Sequence, residues 1–423
     1  MKIVILRYPS PRRAIASIGG LGLAAFLLTA ALTSRSPASL WRSWSFWPWP
    51  AAQWFAAGGH LTAADLSYIE GAQQAREPYL SAASAILVDN ETGTVLYARN
   101  EHTRRAPAST TKILTAILAI ESGRLNRTVK VSRRAANVIG SDINLRAGQV
   151  VHLEDLLAGL LIRSGNDAAI AIAEAVAGSV EEFAALMNRR AAELGATNSH
   201  FVNPHGLDTP DHYTTAYDLA LLARTAMNYP LFARLVATRS YSPTSIPGVS
   251  WHNTNRLLWS FDGMEGIKTG TTGRAGNCLV AAASRDGRQL ISVVMGSENR
   301  WGDTSRLLEW GFTNFTLLKP VVRGQKVATV PVTGARKSRV TGPATAPVIA
   351  TRDLKLTVPV KQANRYHVSL DLQPLTAPVR RGESAGTLYL LLEGKPVASV
   401  PLKVGADVPG LSLWERIWQR WRR

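Results

Sequence analysis

Ser109 and Lys112 stand three residues apart at the start of a long apolar run, and together they could cleave an acyl bond. On a helix, that spacing puts both side chains on the same side. A serine hydroxyl is a weak nucleophile until a base removes its proton, and a neutral lysine amine can be that base. Unpaired backbone N–H groups at a helix start can also bind an oxyanion. Taken alone, the pair does not indicate a catalytic function, because an N-cap serine beside a solvated lysine has the same spacing.

Two later stretches make the pattern specific. Ser164-Gly165-Asn166 separates two helical patterns, and Lys268-Thr269-Gly270 lies in a strand pattern. Ser-x-x-Lys, Ser-x-Asn and Lys-Thr-Gly are the set shared by serine β-lactamases and penicillin-binding proteins. The three contexts, a helix start, a helix–helix corner and a strand, agree with that set.

The residues around these motifs narrow the resemblance. The stretches Pro107–Lys112, Ser164–Asp167, Phe201–Leu207 and Asp262–Thr272 resemble the low-molecular-mass penicillin-binding D-alanyl-D-alanine carboxypeptidases, which are serine peptidases of family S11. This resemblance covers roughly residues 81–315. It implies removal of the terminal D-alanine from peptidoglycan stem pentapeptides through an acyl-enzyme. β-Lactams would act as acylating inhibitors, and the resemblance implies no cofactor.

The resemblance implies catalytic roles for three residues. Ser109 would attack the penultimate D-alanine carbonyl, Lys112 would take the serine proton, and Ser164 would relay a proton to the leaving amine. A free lysine has a pKa of about 10.4, so Lys112 would need a depression of roughly three units to act near neutral pH. Burial and the positive charge of Lys268 are the expected causes.

The resemblance also implies a substrate-binding set. Asn166 would orient the peptide, while Lys268 and Thr269 would hold its terminal carboxylate, with Arg256 as a further candidate. Backbone N–H groups of Ser109 and Thr271 would form the oxyanion hole. The expected substrate-binding residues are Asn166, Lys268, Thr269, Gly270 and Thr271.

Two other functions stay open for a chain with these motifs. A class A-like β-lactamase would need a deacylating base, and the Asn203-Pro204-His205-Gly206 loop offers no glutamate. A non-catalytic cell-wall scaffold would not need the complete motif set, which therefore disfavours it.

Composition and charge restrict the partners. The net charge of +18 invites polyanions, but the basic residues are spread along the chain, so we expect no nucleic-acid partner. His200, His205 and His212 occur without a His-Glu-x-x-His element, so we expect loop hydrogen bonding from them and no metal site. The sequence leaves the oligomeric state open.

The order of strands, helices, strands and a helix predicts an α+β fold. We expect a β-lactamase/transpeptidase-like antiparallel sheet with a helical subdomain at residues 81–317, which would be the catalytic domain. Alternation of apolar and polar residues then predicts a small all-β domain at residues 318–405.

Both ends of the chain predict contact with a membrane. Residues 1–33 begin with basic residues and continue with an uncharged apolar stretch, as in a signal peptide or signal anchor. A Trp/Pro-rich linker follows at residues 34–80. Residues 406–423 carry tryptophans on one helical face and arginines off it, which predicts an amphipathic membrane-associating tail. We therefore expect an exported protein held at the outer face of the cytoplasmic membrane.

Overall fold

A computed structural model describes residues 6–7, 67–68, 76–336 and 344–421 of the 423-residue chain. The predicted apolar signal or anchor stretch lies outside these residues, as does most of the predicted linker.

The first domain is built on a six-stranded sheet with strand order β2-β4-β3-β11-β10-β9. Its neighbours pair antiparallel except β2 and β4, which are parallel. Two short ribbons, β5–β6 and β7–β8, lie outside this sheet. The strands are β1 (Leu6–Arg7), β2 (Ser67–Tyr68), β3 (Ser84–Asp89), β4 (Thr94–Arg99), β5 (Thr128–Lys130), β6 (Val150–His152), β7 (Ser240–Tyr241), β8 (Trp251–His252), β9 (Met264–Thr272), β10 (Gly276–Arg285) and β11 (Arg288–Ser297).

Helices fill the chain between β4 and β9 and close the domain after β11. The helix that closes the domain begins at Arg300, because the Asn299 side chain accepts a hydrogen bond from the Gly302 N–H and caps it. The helices are α1 (Lys112–Glu121), α2 (Arg133–Ala136), α3 (Leu153–Ala158), α4 (Asn166–Ala177), α5 (Val180–Glu193), α6 (Ala216–Met227), α7 (Pro230–Ala237), α8 (Leu257–Ser260) and α9 (Arg300–Asn314).

Helix α1 runs through the core and carries the first motif. Every residue from Lys112 to Ala119 is buried, as the apolar pattern around the whole helix predicts. A short 3₁₀ turn, Ala108–Thr111, precedes it and lies against β9, the outermost strand of the sheet. This contact brings the first and third motifs together.

In the part of the second domain that the structure describes, all regular structure is β apart from the 3₁₀ turn Val360–Arg365. A seven-stranded sheet has the order β1-β16-β18-β19-β14-β13-β17, and β12 pairs with β15. The predicted alternation is only partly kept in β15, where Thr357 is buried and Leu356 is half-buried. The strands are β12 (Phe315–Val321), β13 (Lys326–Thr333), β14 (Thr345–Ala350), β15 (Leu354–Pro359), β16 (Tyr366–Leu372), β17 (Leu375–Thr376), β18 (Ser384–Leu392) and β19 (Lys395–Val404).

The predicted tail is helical, as α10 (Leu413–Trp421). The side chains of Trp414, Ile417 and Trp421, which share one helical face, are exposed. Of the helices within the described ranges, none has the length and apolar content that crossing a bilayer requires. The α+β domain with its inserted helices and the following β domain confirm the predicted fold class.

Candidate active site

The turn Ala108–Thr111 carries the predicted nucleophile Ser109, and we call it the nucleophile turn. It packs tightly against the loop that carries Gly206. Thr111 Oγ1 donates to Ala108 O at 2.9 Å, which closes the turn around the half-buried Ser109. Gly206 has φ +88°, and a Cβ there would stand only 1.8 Å from Ala108 O. Only glycine permits this approach, so the loop fixes the backbone on which Ser109 sits.

Lys112 lies under Ser109 with its amine surrounded by three oxygens. Nζ is 2.9 Å from Ser109 Oγ, 2.7 Å from Asn166 Oδ1 and 2.8 Å from the His205 carbonyl oxygen. The side chain is completely buried. Burial first, and then the charge of Lys268, hold the pKa of Lys112 well below its usual value, which favours the neutral amine.

The Ser-x-Asn corner is shaped by an irregular helix end. A π-helical turn, Gly159–Arg163, follows α3, and Ser164 then adopts a left-handed conformation with φ 66°. Helix α4 starts two residues later at Asn166. Ser164 is 5% exposed, so the corner is buried.

Asn166 has both ends of its amide engaged within the protein. Oδ1 accepts from Lys112, and Nδ2 donates to the Ile139 carbonyl at 2.7 Å. The Ile139 carbonyl can only accept, so the end of the amide that faces it is the nitrogen, and the oxygen faces Lys112. The structure thus ties Asn166 to Lys112, and its contact with the peptide stays a prediction, because the amide has a second N–H and a second lone pair.

Strand β9 presents the third motif alongside the nucleophile turn. A Cβ on Gly270 would come within 3.0 Å of the Ser109 backbone nitrogen, so this glycine permits the close approach. Lys268 is 1% exposed, with Nζ donating to Thr269 O at 3.1 Å. Burial and then the charge of Arg300 lower the pKa of Lys268 to about 7.

Two residues beside β9, Arg300 and Thr254, belong to none of the three sequence motifs. Arg300 Nη1 donates to Gly270 O at 2.9 Å and to Thr271 Oγ1 at 2.7 Å. The hydroxyls of Thr254 and Thr269 are 2.9 Å apart. Arg300 sits at a helix start far along the chain, and only the fold shows that this start faces β9.

Arg256, the further carboxylate candidate, is exposed at the start of α8. Burial first, and also the charge of Arg256, lower the pKa of Arg300. Arg256 therefore adds positive potential to this region.

The three histidines form hydrogen bonds with their own loop region, as expected, and His212 also reaches Thr111 in the nucleophile turn. His212 Nδ1 accepts from Val202 N at 3.0 Å, and Nε2 lies 2.9 Å from Thr111 Oγ1. His205 Nδ1 accepts from Leu207 N, and His200 Nδ1 lies 2.7 Å from Asp211 O. Burial lowers the pKa of His205 to about 3 and that of His212 to about 4, so both are neutral near pH 7.

These groups together can perform acyl transfer. They provide a hydroxyl within hydrogen-bonding distance of a buried amine of lowered pKa, backbone N–H groups on two adjacent elements, and a second lysine beside them. That combination supplies a nucleophile, a base, an oxyanion site and a charge for an anionic substrate.

Comparison with known proteins gives the same family throughout. Residues 71–299 match the family model described as D-alanyl-D-alanine carboxypeptidase, and residues 315–410 match that of the penicillin-binding protein 5 C-terminal domain. The chain is 34% identical over 338 residues to the D-alanyl-D-alanine carboxypeptidase DacF of Bacillus subtilis, covering 77% of this chain and 86% of the relative. It is 35% identical over 363 residues to DacC of Escherichia coli, covering 82% and 89%.

Solved structures agree. Penicillin binding protein 5 from Haemophilus influenzae superposes with a TM-score of 0.65 at 30% identity, covering 79% of this chain and 99% of that one. Penicillin binding protein 6B from Escherichia coli gives a TM-score of 0.62 at 31% identity, covering 77% and 96%. The chain belongs to the D-alanyl-D-alanine carboxypeptidase family of serine peptidases.

Proposed function

We propose that this chain removes the terminal D-alanine from peptidoglycan stem pentapeptides through a serine acyl-enzyme, and that β-lactams acylate the same serine. The observation that supports this most directly is the 2.9 Å separation between Ser109 Oγ and the buried amine of Lys112. The family and its relatives, which carry this activity in their names, support the same substrate.

The surroundings of Lys112 determine where its lone pair points. A neutral amine has two N–H bonds and one lone pair. Asn166 Oδ1 and the His205 carbonyl oxygen can only accept, so they take the two N–H bonds. The lone pair is then directed at the Ser109 hydroxyl, whose proton Lys112 removes as the oxygen attacks the penultimate carbonyl.

The remaining motif residues bind and stabilise. Backbone N–H groups of Ser109 and Thr271 receive the oxyanion of the tetrahedral intermediate, and Lys268 and Thr269 hold the terminal carboxylate of the peptide. Losing one oxyanion donor in comparable sites slows acyl transfer about 100- to 1000-fold. Gly270 lets β9 approach the nucleophile closely.

Collapse of the intermediate breaks the peptide bond. The proton taken by Lys112 passes by way of Ser164 to the leaving nitrogen, so free D-alanine departs as an amine and Ser109 holds the acyl group as an ester. Water then hydrolyses that ester and restores the serine hydroxyl and the shortened peptide. Asn166 contributes by positioning Lys112.

Labelling with fluorescent penicillin tests this proposal and separates it from its alternatives. We expect a stable covalent adduct on the wild type and none on Ser109→Ala. No adduct on the wild type would support a non-catalytic scaffold. Rapid hydrolysis of nitrocefin without an accumulated adduct would support a β-lactamase.

We also propose that the enzyme is exported and lies at the outer face of the cytoplasmic membrane, with residues 81–317 as the catalytic domain. The basic and apolar residues of 1–33 and the amphipathic α10 support this location. We propose residues 34–80 as a linker, 318–405 as the β domain and 406–423 as a membrane-associating tail.

A further inference from the structure

The loop after His205 is hydrogen-bonded to the turn that joins β9 and β10. Thr272 Oγ1 donates to Asp208 Oδ1 at 2.8 Å, and the Arg274 N–H donates to Asp208 Oδ2 at 3.1 Å. Arg274 Nη1 in turn donates two hydrogen bonds to the loop, to Thr209 O at 3.0 Å and to Pro210 O at 3.3 Å. We call these four bonds the latch.

The other end of the same loop is fixed on α1. Thr115 Oγ1 donates to Pro204 O at 2.7 Å, and Lys112 Nζ donates to His205 O at 2.8 Å. Between these ends, Asn203 braces the loop, because its side chain accepts from Gly206 N and donates to Leu207 O. One short segment thus connects the proposed base to the end of β9.

The end of β9 needs such a connection. The two proposed oxyanion donors belong to different elements, with Ser109 N on the nucleophile turn and Thr271 N on β9. Strand β9 is the outermost of its sheet and pairs on one side only, with β10. Ends of edge strands open more easily than central strands because fewer contacts hold them. The latch and Arg300 hold this end from outside the sheet.

We propose that Asp208 is a positioning residue that sets the distance between the two oxyanion donors. This inference rests on the proposed function and assigns one further residue to the same site. Asp208 touches neither the nucleophile nor the base in the structure; it acts through Thr272, the neighbour of Thr271 in β9. The alternative is that the latch only stabilises two exposed turns and leaves the chemistry unaffected.

Three variants separate a positioning role of Asp208 from a purely stabilising role of the latch. Asp208→Ala removes both acceptor oxygens. Asp208→Asn removes the charge but keeps an oxygen for the Thr272 hydroxyl. Asp211→Asn is the matched control, because Asp211 is an exposed carboxylate three residues away in the same loop.

The measurements are kcat and KM for D-alanine release and the rate constant of penicillin acylation. For Asp208→Ala we expect kcat and the acylation rate constant to fall about 10- to 100-fold, because a donor is displaced and not removed. KM and the melting temperature should stay close to wild type. Asp211→Asn should match wild type, and Asp208→Asn should recover a large part of the lost rate.

Thr272→Val tests the same bond from its other partner. We expect a smaller loss than for Asp208→Ala, which also removes the bond from the Arg274 N–H, and little further loss when Thr272→Val is added to Asp208→Ala, since the two changes share the Thr272–Asp208 bond.

The inference is overturned if Asp208→Ala behaves like Asp211→Asn, if only KM changes, or if Asp208→Asn is as slow as Asp208→Ala, which would indicate a charge effect. A wild type that neither releases D-alanine nor binds penicillin would instead refute the proposed function, and the inference with it.

Discussion

At the residue scale, the proposed mechanism requires two buried lysines in different protonation states. Lys112 must be neutral to take a proton, whereas Lys268 must be charged to hold a carboxylate. Both pKa values are lowered by burial, but only that of Lys112 is also lowered by the other lysine. The difference lets one type of side chain fill two roles in one site.

The lowered pKa of Lys268 predicts a loss of kcat/KM in mild alkali. As the pH rises through about 7, the free enzyme loses the Lys268 charge, and its affinity for the peptide carboxylate falls. The bound carboxylate keeps Lys268 protonated, so kcat should fall at a higher pH than kcat/KM. In Lys268→Arg, the alkaline fall in kcat/KM should disappear, because a guanidinium stays charged. An unchanged alkaline limb in that variant would contradict the assignment.

Lys112→Arg tests the base. A guanidinium keeps the positive charge and the donors but cannot accept a proton, so acylation by penicillin should slow by about 100- to 10,000-fold. Stopped-flow acylation gives this rate constant directly. Acylation within a few-fold of the wild-type rate would show that another group takes the serine proton.

At the element scale, the fold places three motifs that the chain keeps far apart. The sequence predicted the helix start, the Ser-x-Asn corner and the strand that carries Lys268-Thr269-Gly270, because each has a local pattern of apolar periodicity or turn residues. It could not predict that the Arg300 end of α9 faces β9. Nor could it predict that the oxygen and the nitrogen of the Asn166 amide each have a hydrogen-bond partner within the protein. Those facts follow from long-range packing, which leaves no periodic signal.

Gly206→Ala should disturb the nucleophile turn. The added Cβ would meet Ala108 O, so the loop or the turn must move, and we expect a loss of about 1–3 kcal/mol in stability together with slower acylation. Gly248→Ala is the matched control, because Gly248 has a similar φ of +81° with no atom within 4 Å of the added Cβ. Thermal unfolding and penicillin acylation measure both effects. Equal behaviour of the two variants would show that backbone strain, and not the clash, decides the outcome.

Helix α10 should bury its tryptophan face in anionic lipid. Cys278, the only native cysteine, is fully buried, so an introduced cysteine can be labelled alone. A polarity-sensitive dye on Trp421→Cys should shift to the blue with anionic vesicles, and the same dye on Glu415→Cys should shift less, because helical spacing puts residue 415 off the tryptophan face. Equal shifts at both positions would argue against an in-plane helix.

At the scale of the whole molecule, the two domains have separate hydrophobic cores. Between them lie a few polar contacts, such as the 2.9 Å approach of the Thr92 and Thr357 hydroxyls and the Lys355–Glu91 ion pair. A chain ending at residue 317 should therefore keep the penicillin acylation rate of the full chain to within about threefold, because these contacts reach Glu91 and Thr92 and no residue of the proposed active site. A much larger loss would mean that the β domain supports the active site.

The central claim is that Ser109 is the nucleophile of a D-alanine-releasing peptidase. The most direct measurement is the release of free D-alanine from a diacyl-Lys-D-Ala-D-Ala peptide by the full chain and by Ser109→Ala. We predict steady release by the wild type and none above background by the variant. Release by Ser109→Ala at the wild-type rate, or no release by a wild type that penicillin still acylates, would contradict the account.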